Sequence, residues 1–296
     1  MLTRRGATLI ELLVTTIVGG IALTLVAAIC VRQQRIIADL AHATALTGQL
    51  RDASTILPID LANVGSAAGD IREALDTAIE IRATIASAVV CDTLASGIVL
   101  APASTGATTY AGFVAPIAAG DSAWVLEADS IDVWRPLRIA TVASARVGPC
   151  DAHGPVLDAT TVTSPRVALT LDTASTSNWI GAPLRVTRPT RYSLYRGSDG
   201  WSLGAREWNT TTLRFNTIQP LSGPFLSAAA GGVRFTYFDS IGATLASPVI
   251  DPRRIALIRL DFRGRTAQVA RAVGAAGPMA QRMDSSSTFV FLRNRR

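Results

Sequence analysis

The sequence predicts an α+β fold in which one long N-terminal helix, first transmembrane and then amphipathic, packs on a mainly antiparallel β-sheet head. Three observations predict it. Residues 7–31 form an apolar run that carries a single charge, Glu11. Apolar residues then recur at three- and four-residue spacing up to Pro58. Beyond residue 75 the period falls to two, and short alternating segments follow one another closely.

Each element follows in order. The run at 7–31 has the length of a membrane-spanning helix, since about 20 apolar residues cross the hydrocarbon core. Arg4 and Arg5 precede it, so its N-terminus is expected to stay cytoplasmic and everything after Val31 to be exported. A cleaved secretory signal would have a shorter apolar core without Glu11. A lipoprotein signal would have a small residue before Cys30, where Ile29 stands. A retained anchor fits best. The amphipathic stripe Ile36, Leu40, Ala43, Leu46, Leu50, Ala53 and Leu57 continues the helix over residues 32–57. A helix over 7–57 would be about 75 Å long. Gly48 is its weak point, and Pro58 is expected to end it.

Residues 58–296 form the expected head. Residues 59–75 read as a loop and a short helix, and 78–85, "AIEIRATI", as the first strand. Further strands are expected at "SAWVLEA", "SIDVWRP", "LRIATVA", "RVALTLD", "RYSLYR", "GWSLGAREW", "VRFTYFD", "RRIALIRLDF" and "STFVFLR". "GSDG" at 197–200 and "DSIG" at 239–242 are hairpin turn signals. Residues 95–120 and 272–287, rich in small residues, read as long surface loops.

Composition narrows the function. The chain has 296 residues, enough for one or two domains with a sizeable core. Its net charge is +6, all its basic residues are Arg, and several of these sit at the two ends, so charge alone names no partner. No metal-protease, P-loop, dinucleotide or serine-nucleophile motif is present, and an enzyme is disfavoured. His42 lies on the long helix, and His153 with Asp151 lies in a loop. Glu127, Asp129, Asp132 and Asp199 supply carboxylates without an EF-hand order, so turn and strand-edge roles are preferred to a metal site. Arg185, Arg188, Arg191 and Arg196 stand beside Tyr192 and Tyr195, and a second group spans residues 253–265. Such interleaving can bind nucleic acid, but alternation is expected to put these arginines on solvent faces of strands, and nucleic acid is the lesser reading. In an exported head Cys91 and Cys150 can form a disulfide; two separate buried thiols are the alternative.

The opening residues carry the one specific signal. A basic leader, the Gly6–Ala7 junction, Glu11 four residues further on and an unbroken apolar stretch together resemble the class III signal of type IV prepilins and type II secretion pseudopilins. Segments "LRDASTILPIDLANVGSAAGDIREALDTAIEIR", "RYSLYRGSDGWSLGAREW", "IQPLSG", "GGVRFTYFDSIGATLASP" and "RRIALIRLDFRGR" resemble PilW-like minor pilins and J-type pseudopilins. The resemblance implies a leader over 1–6, removed after Gly6 by a membrane prepilin peptidase, and N-methylation of the new terminus at Ala7. It departs in one place, since many family members carry Phe where Ala7 stands. It implies that Glu11 recruits the subunit by pairing with the amino terminus of a neighbour, an attraction that is strong in a dry helical bundle. Outside such a bundle a carboxylate at the middle of a membrane helix costs roughly 2.5–3.5 kcal/mol. The implied function is structural. The subunit would start or cap a pilus or pseudopilus, with other minor and major pilins, the prepilin peptidase, the inner-membrane assembly platform and membrane lipid as partners and no cofactor. It would sit in the bacterial inner membrane with a periplasmic head, and then at the filament tip. The alternative is a tip binding module, an adhesin or a DNA-uptake pilin.

Overall fold

The computed structural model describes residues 8–102, 104–105, 108–109, 111–128, 132–146, 166–174, 179–198, 200–266 and 281–292. A single α-helix, α1, spans Leu9–Ala62. At 1.5 Å per residue it is about 80 Å long. Thr8 caps its start: the Thr8 hydroxyl accepts the Glu11 backbone N–H, and the Glu11 carboxylate accepts the Thr8 N–H at 3.0 Å. Pro58 does not end the helix, contrary to expectation. It lacks an N–H and crowds the carbonyl four residues back. One further turn nevertheless forms, because Leu57 and Leu61 on either side of it are both fully buried. Asn63 closes the helix by donating its side-chain amide to the Ile59 carbonyl at 3.1 Å.

The strands are β1 (Ile71–Ala74), β2 (Ala78–Leu94), β3 (Gly97–Leu100), β4 (Ser104–Thr105), β5 (Thr108–Thr109), β6 (Ala111–Phe113), β7 (Ser122–Ala128), β8 (Asp132–Arg146), β9 (Arg166–Leu171), β10 (Pro183–Gly197), β11 (Gly200–Asn209), β12 (Arg214–Phe215), β13 (Gln219–Phe225), β14 (Val233–Phe238), β15 (Thr244–Leu245), β16 (Leu257–Arg265) and β17 (Met283–Phe291). All but β4 and β5 join one large antiparallel sheet. The α+β expectation therefore holds, with a larger sheet than a small head would need.

The sheet has two parts. In the first, β1, β2, β10, β11, β13, β16, β14 and β15 pair in that order, with β17 on β16, and α1 packs against β13, β16 and β17. Its core joins Leu46, Leu50, Leu57 and Leu61 of the helix to Ile79, Phe235, Tyr237, Phe262 and their neighbours. In the second part the pairings β2–β3, β3–β9, β9–β8, β8–β7, β7–β10 and β10–β2 close a circuit, a six-stranded antiparallel barrel with its own apolar filling. The barrel is inserted between the first half of β2 and the second half of β10.

These two long strands serve both parts. At their crossing the register of β10 against β2 slips between Val186 and Thr187, leaving Ile85 as the extra residue. The free Ile85 carbonyl accepts the N–H groups of Val114 and Ala115 at 2.8 and 3.2 Å. A bulge of this kind bends a strand and increases its twist, which sends one end into a sheet and the other into a barrel.

Further expectations on secondary structure fail. Residues 283–287, read as the end of a loop, belong to β17 because they pair with residues 261–265 of β16. Residues 71–74, read as helical, form β1, because pairing of Ile71 with Ile81 and of Ala74 with Ile79 buries both residues. Within 95–120, read as loop, β3 is buried on both faces and closes the barrel. By contrast, the turn at "GSDG" joins β10 to β11 with Gly197 opposite Gly200, as expected.

Candidate functional site

The first candidate is the free half of α1. Every residue from 8 to 35 is exposed, including Leu12, Leu13, Ile17, Ile21, Leu25 and Ile29. This helix is long and apolar enough to cross a membrane. Its few polar groups are satisfied inside the helix. Thr15, Thr16 and Thr24 donate their hydroxyls to carbonyls three or four residues back, between 2.8 and 3.1 Å. Both the hydroxyl and the N–H of Thr8 donate to Glu11. Glu11 thus lies at the exposed tip of the helix, held by its own chain. Gly6 and Ala7, the expected cleavage and methylation sites, lie outside the described residues, as do Cys150, His153, Asp129 and Asp199.

The grip of the head on α1 begins later than the amphipathic pattern implies. Leu40 is exposed and Ile36 and Ala43 are half-buried, so the buried stripe is Leu46, Leu50, Ala53, Leu57 and Leu61. Gly264 on β16 allows the close approach: a Cβ there would lie 2.6 Å from the Leu46 side chain. Two polar contacts fix the helix. Tyr192 on β10 donates its hydroxyl to Asp60 at 2.5 Å, and Ser222 on β13 donates to the Gln49 carbonyl at 2.7 Å. Burial and the Asp60 carboxylate push the Tyr192 hydroxyl far above its ordinary pKa of 10.0.

The second candidate lies where sheet, barrel and helix end meet. The arginines of β10 were expected on solvent faces. Arg185 and Arg188 are instead largely buried, Arg191 is partly buried, and each grips a carboxylate. Arg185 forms a two-pronged pair with Asp70 at 2.8 and 3.1 Å, and Asp70 is completely buried in the loop after α1. Arg188 grips Asp121 the same way at 2.8 and 2.9 Å, which raises the Arg188 pKa. Arg191 pairs with Glu73 and reaches Glu80, which also meets Arg72. Alternation placed Arg185, Arg188, Arg191 and Arg196 in water, which holds for Arg196 alone and fails for the other three. It could not show that neighbouring segments cover both faces of β10.

Around Asp70 the cations interleave with tryptophans. The Arg185 guanidinium lies 5.2 Å from the ring centres of both Trp124 and Trp134, and Arg82 lies 5.1 Å from Trp124. Arg82 also donates to the Gly69 carbonyl at 2.8 Å, and burial lowers its pKa. The result is a stack in the order Trp134, Arg185, Trp124, Arg82. Sequence reasoning missed it: Trp124 on β7, which pairs with β10, and Trp134 on β8, which pairs with β7, are brought to Arg185 by the fold.

Of the carboxylates weighed as metal ligands, Glu127 has structural partners, and Asp132 is the first residue of β8. Glu127 accepts from Trp179 at 2.7 Å and from Arg135 at 2.9 Å. No cluster of three potential metal ligands occurs among the described residues. Cys91 is disulfide-bonded and buried, while Cys30 is free and exposed on α1. Arg166 donates to the Cys91 sulfur at 3.4 Å, and burial lowers the Arg166 pKa.

No family model, curated protein or solved structure matches this chain.

Proposed function

We propose that the protein is a minor pilin-like subunit, a structural component that starts or caps a type IV pilus or a type II secretion pseudopilus. One observation carries the reading: a single helix has an exposed apolar first half with a carboxylate at its tip and a second half buried under an antiparallel head. An exposed apolar half of this length needs lipid or other helices around it. In this reading the membrane holds the unassembled subunit after the prepilin peptidase has cut between Gly6 and Ala7. Neighbouring pilins and the assembly platform then take it up. Glu11 is kept satisfied by Thr8 until a neighbour's amino terminus replaces that partner. The inserted barrel adds bulk beside the helix, which suits an end position better than the interior of a tight helical stack.

Two measurements test this. Co-expressed with an active prepilin peptidase, the chain is expected to begin at Ala7, and a Gly6→Val variant to remain uncut. A mature chain that still begins at Met1 overturns the class. Glu11→Gln keeps an acceptor for the capping box and removes the charge. It is expected to be processed and folded normally yet to be lost from complexes with other pilins. Normal incorporation would refute the recruiting role of the charge.

A further inference from the structure

We propose that the cavity at the junction of helix end, sheet and barrel is a binding site for a neutral saccharide. The cavity has a volume of about 490 Å³, within the range of small-ligand sites. Its walls come from Asn63 at the end of α1, Thr84 and Ser87 of β2, Trp134 of β8 and Arg185 of β10. Trp134 is half-buried and ends the tryptophan–arginine stack.

The chemistry of the walls selects the ligand class. Asp70 engages both terminal nitrogens of Arg185, so the cation in the wall is already neutralised. An anion would gain little from it and would meet the buried Asp70 carboxylate behind it. The other polar groups are uncharged. The Thr84 and Ser87 hydroxyls and the Trp134 Nε1–H make no hydrogen bond among the described residues. Asn63 spends its amide N–H on the Ile59 carbonyl, which leaves its side-chain oxygen as an acceptor. The Nε–H of Arg185 is a buried donor without an acceptor. An aromatic wall for C–H faces, with uncharged donors and acceptors at its rim, fits a polyol with one apolar face and many hydroxyls.

The wall is also pre-organised. The Arg185–Asp70 pair holds the guanidinium, and the guanidinium holds the Trp134 ring, so little ordering remains to be done when a ligand enters. None of these residues belongs to the free half of α1. The inference therefore stands apart from the assembly reading.

The test uses the full chain in a detergent without a sugar headgroup. Probes are maltotriose, cellotriose, mannotriose and the N-acetylglucosamine trimer, with glucose 6-phosphate and inorganic phosphate as charged controls. Binding is read by calorimetry and ligand-observed NMR. At least one neutral trisaccharide is expected to bind, and the phosphates are not. Ser87→Trp fills the cavity from an exposed position, and Trp134→Ala removes the wall. Each is expected to weaken binding by at least about tenfold with the thermal transition of the head retained. The proposal is overturned if no neutral trisaccharide binds. It is equally overturned if binding survives in whichever of the two variants keeps its transition, or if phosphate competes.

Discussion

In the first half of α1, Leu12, Leu13, Ile17 and Ile21 stand open to the surroundings; in the second half, Leu46, Leu50, Leu57 and Leu61 are sealed against β13, β16 and β17. The side chains are of the same kind, and the helix is continuous through both halves. What differs is the distribution around the helix axis. Residues 9–31 are apolar on all sides, which suits a medium that is apolar on all sides. Residues 46–61 keep one stripe apolar, which suits a protein face on one side and water on the other. The comparison teaches that a single secondary structure can be specified for two solvents by angular pattern alone.

The largest expected difference between the halves is in core packing. Leu57 is fully buried, and Leu57→Ala should destabilise the head by about 2–5 kcal/mol through lost burial and the cavity left behind. Leu13→Ala, at an exposed position, should change head stability by less than about 0.5 kcal/mol. Denaturant titration of the full chain in detergent micelles measures both. Equal losses would mean that the first half also packs on the head, and the comparison would break.

A smaller effect sharpens how the second half is fastened. Tyr192→Phe keeps the ring but leaves Asp60 without the hydroxyl donor, at a cost of about 1.5–3 kcal/mol for a bond to a charged group. The same contact has a pH signature. Burial raises the pKa of Tyr192, and that of Tyr237, above the ordinary value of 10.0. A raised pKa means that the folded state favours the protonated form. The associated stability is therefore complete below about pH 10 and is lost as the pH climbs beyond it. Absorbance titration near 295 nm should show these two of the four tyrosines resisting ionisation until the head unfolds. Ordinary titration of all four near pH 10 in a folded head would refute the buried latch.

How much of this was legible depends on how many faces of an element are covered. The helix and several short strands were readable: "SAWVLEA" is β7 residue for residue, and "VRFTYFD" is β14 with one residue more. β1 was not readable, because Ile71, Arg72, Glu73 and Ala74 are all acceptable in a helix and only pairing with β2 makes them a strand. The barrel was not readable either. The slip at Ile85 redirects two long strands, further slips occur in the β2–β3 and β8–β9 ladders, and periodicity carries no record of which strand ends meet. The site at the junction shared this fate. Asp70 and Arg185 are 115 residues apart, so their pairing is a product of topology.

The smallest expected effect concerns glycine, and it separates the halves by what surrounds them. A Cβ added at Gly19, Gly20 or Gly48 would meet nothing within 4 Å. Each glycine therefore costs its helix roughly 0.5–1 kcal/mol relative to alanine without an offsetting contact inside this chain. At Gly48, beside the head, that cost is a plain loss, and Gly48→Ala should stabilise the folded chain by about 0.5–1 kcal/mol. Gly19 and Gly20 lie in the free half, where small residues let another helix approach closely. Gly19→Ala should therefore leave the melting of the isolated chain in detergent unchanged or slightly improved while weakening its association with other apolar helices. Crosslinking in membranes from Cys30, which is free and exposed on the same half, reads that association directly. Undiminished crosslinking in the Gly19→Ala variant would mean that the free half is shaped for lipid alone.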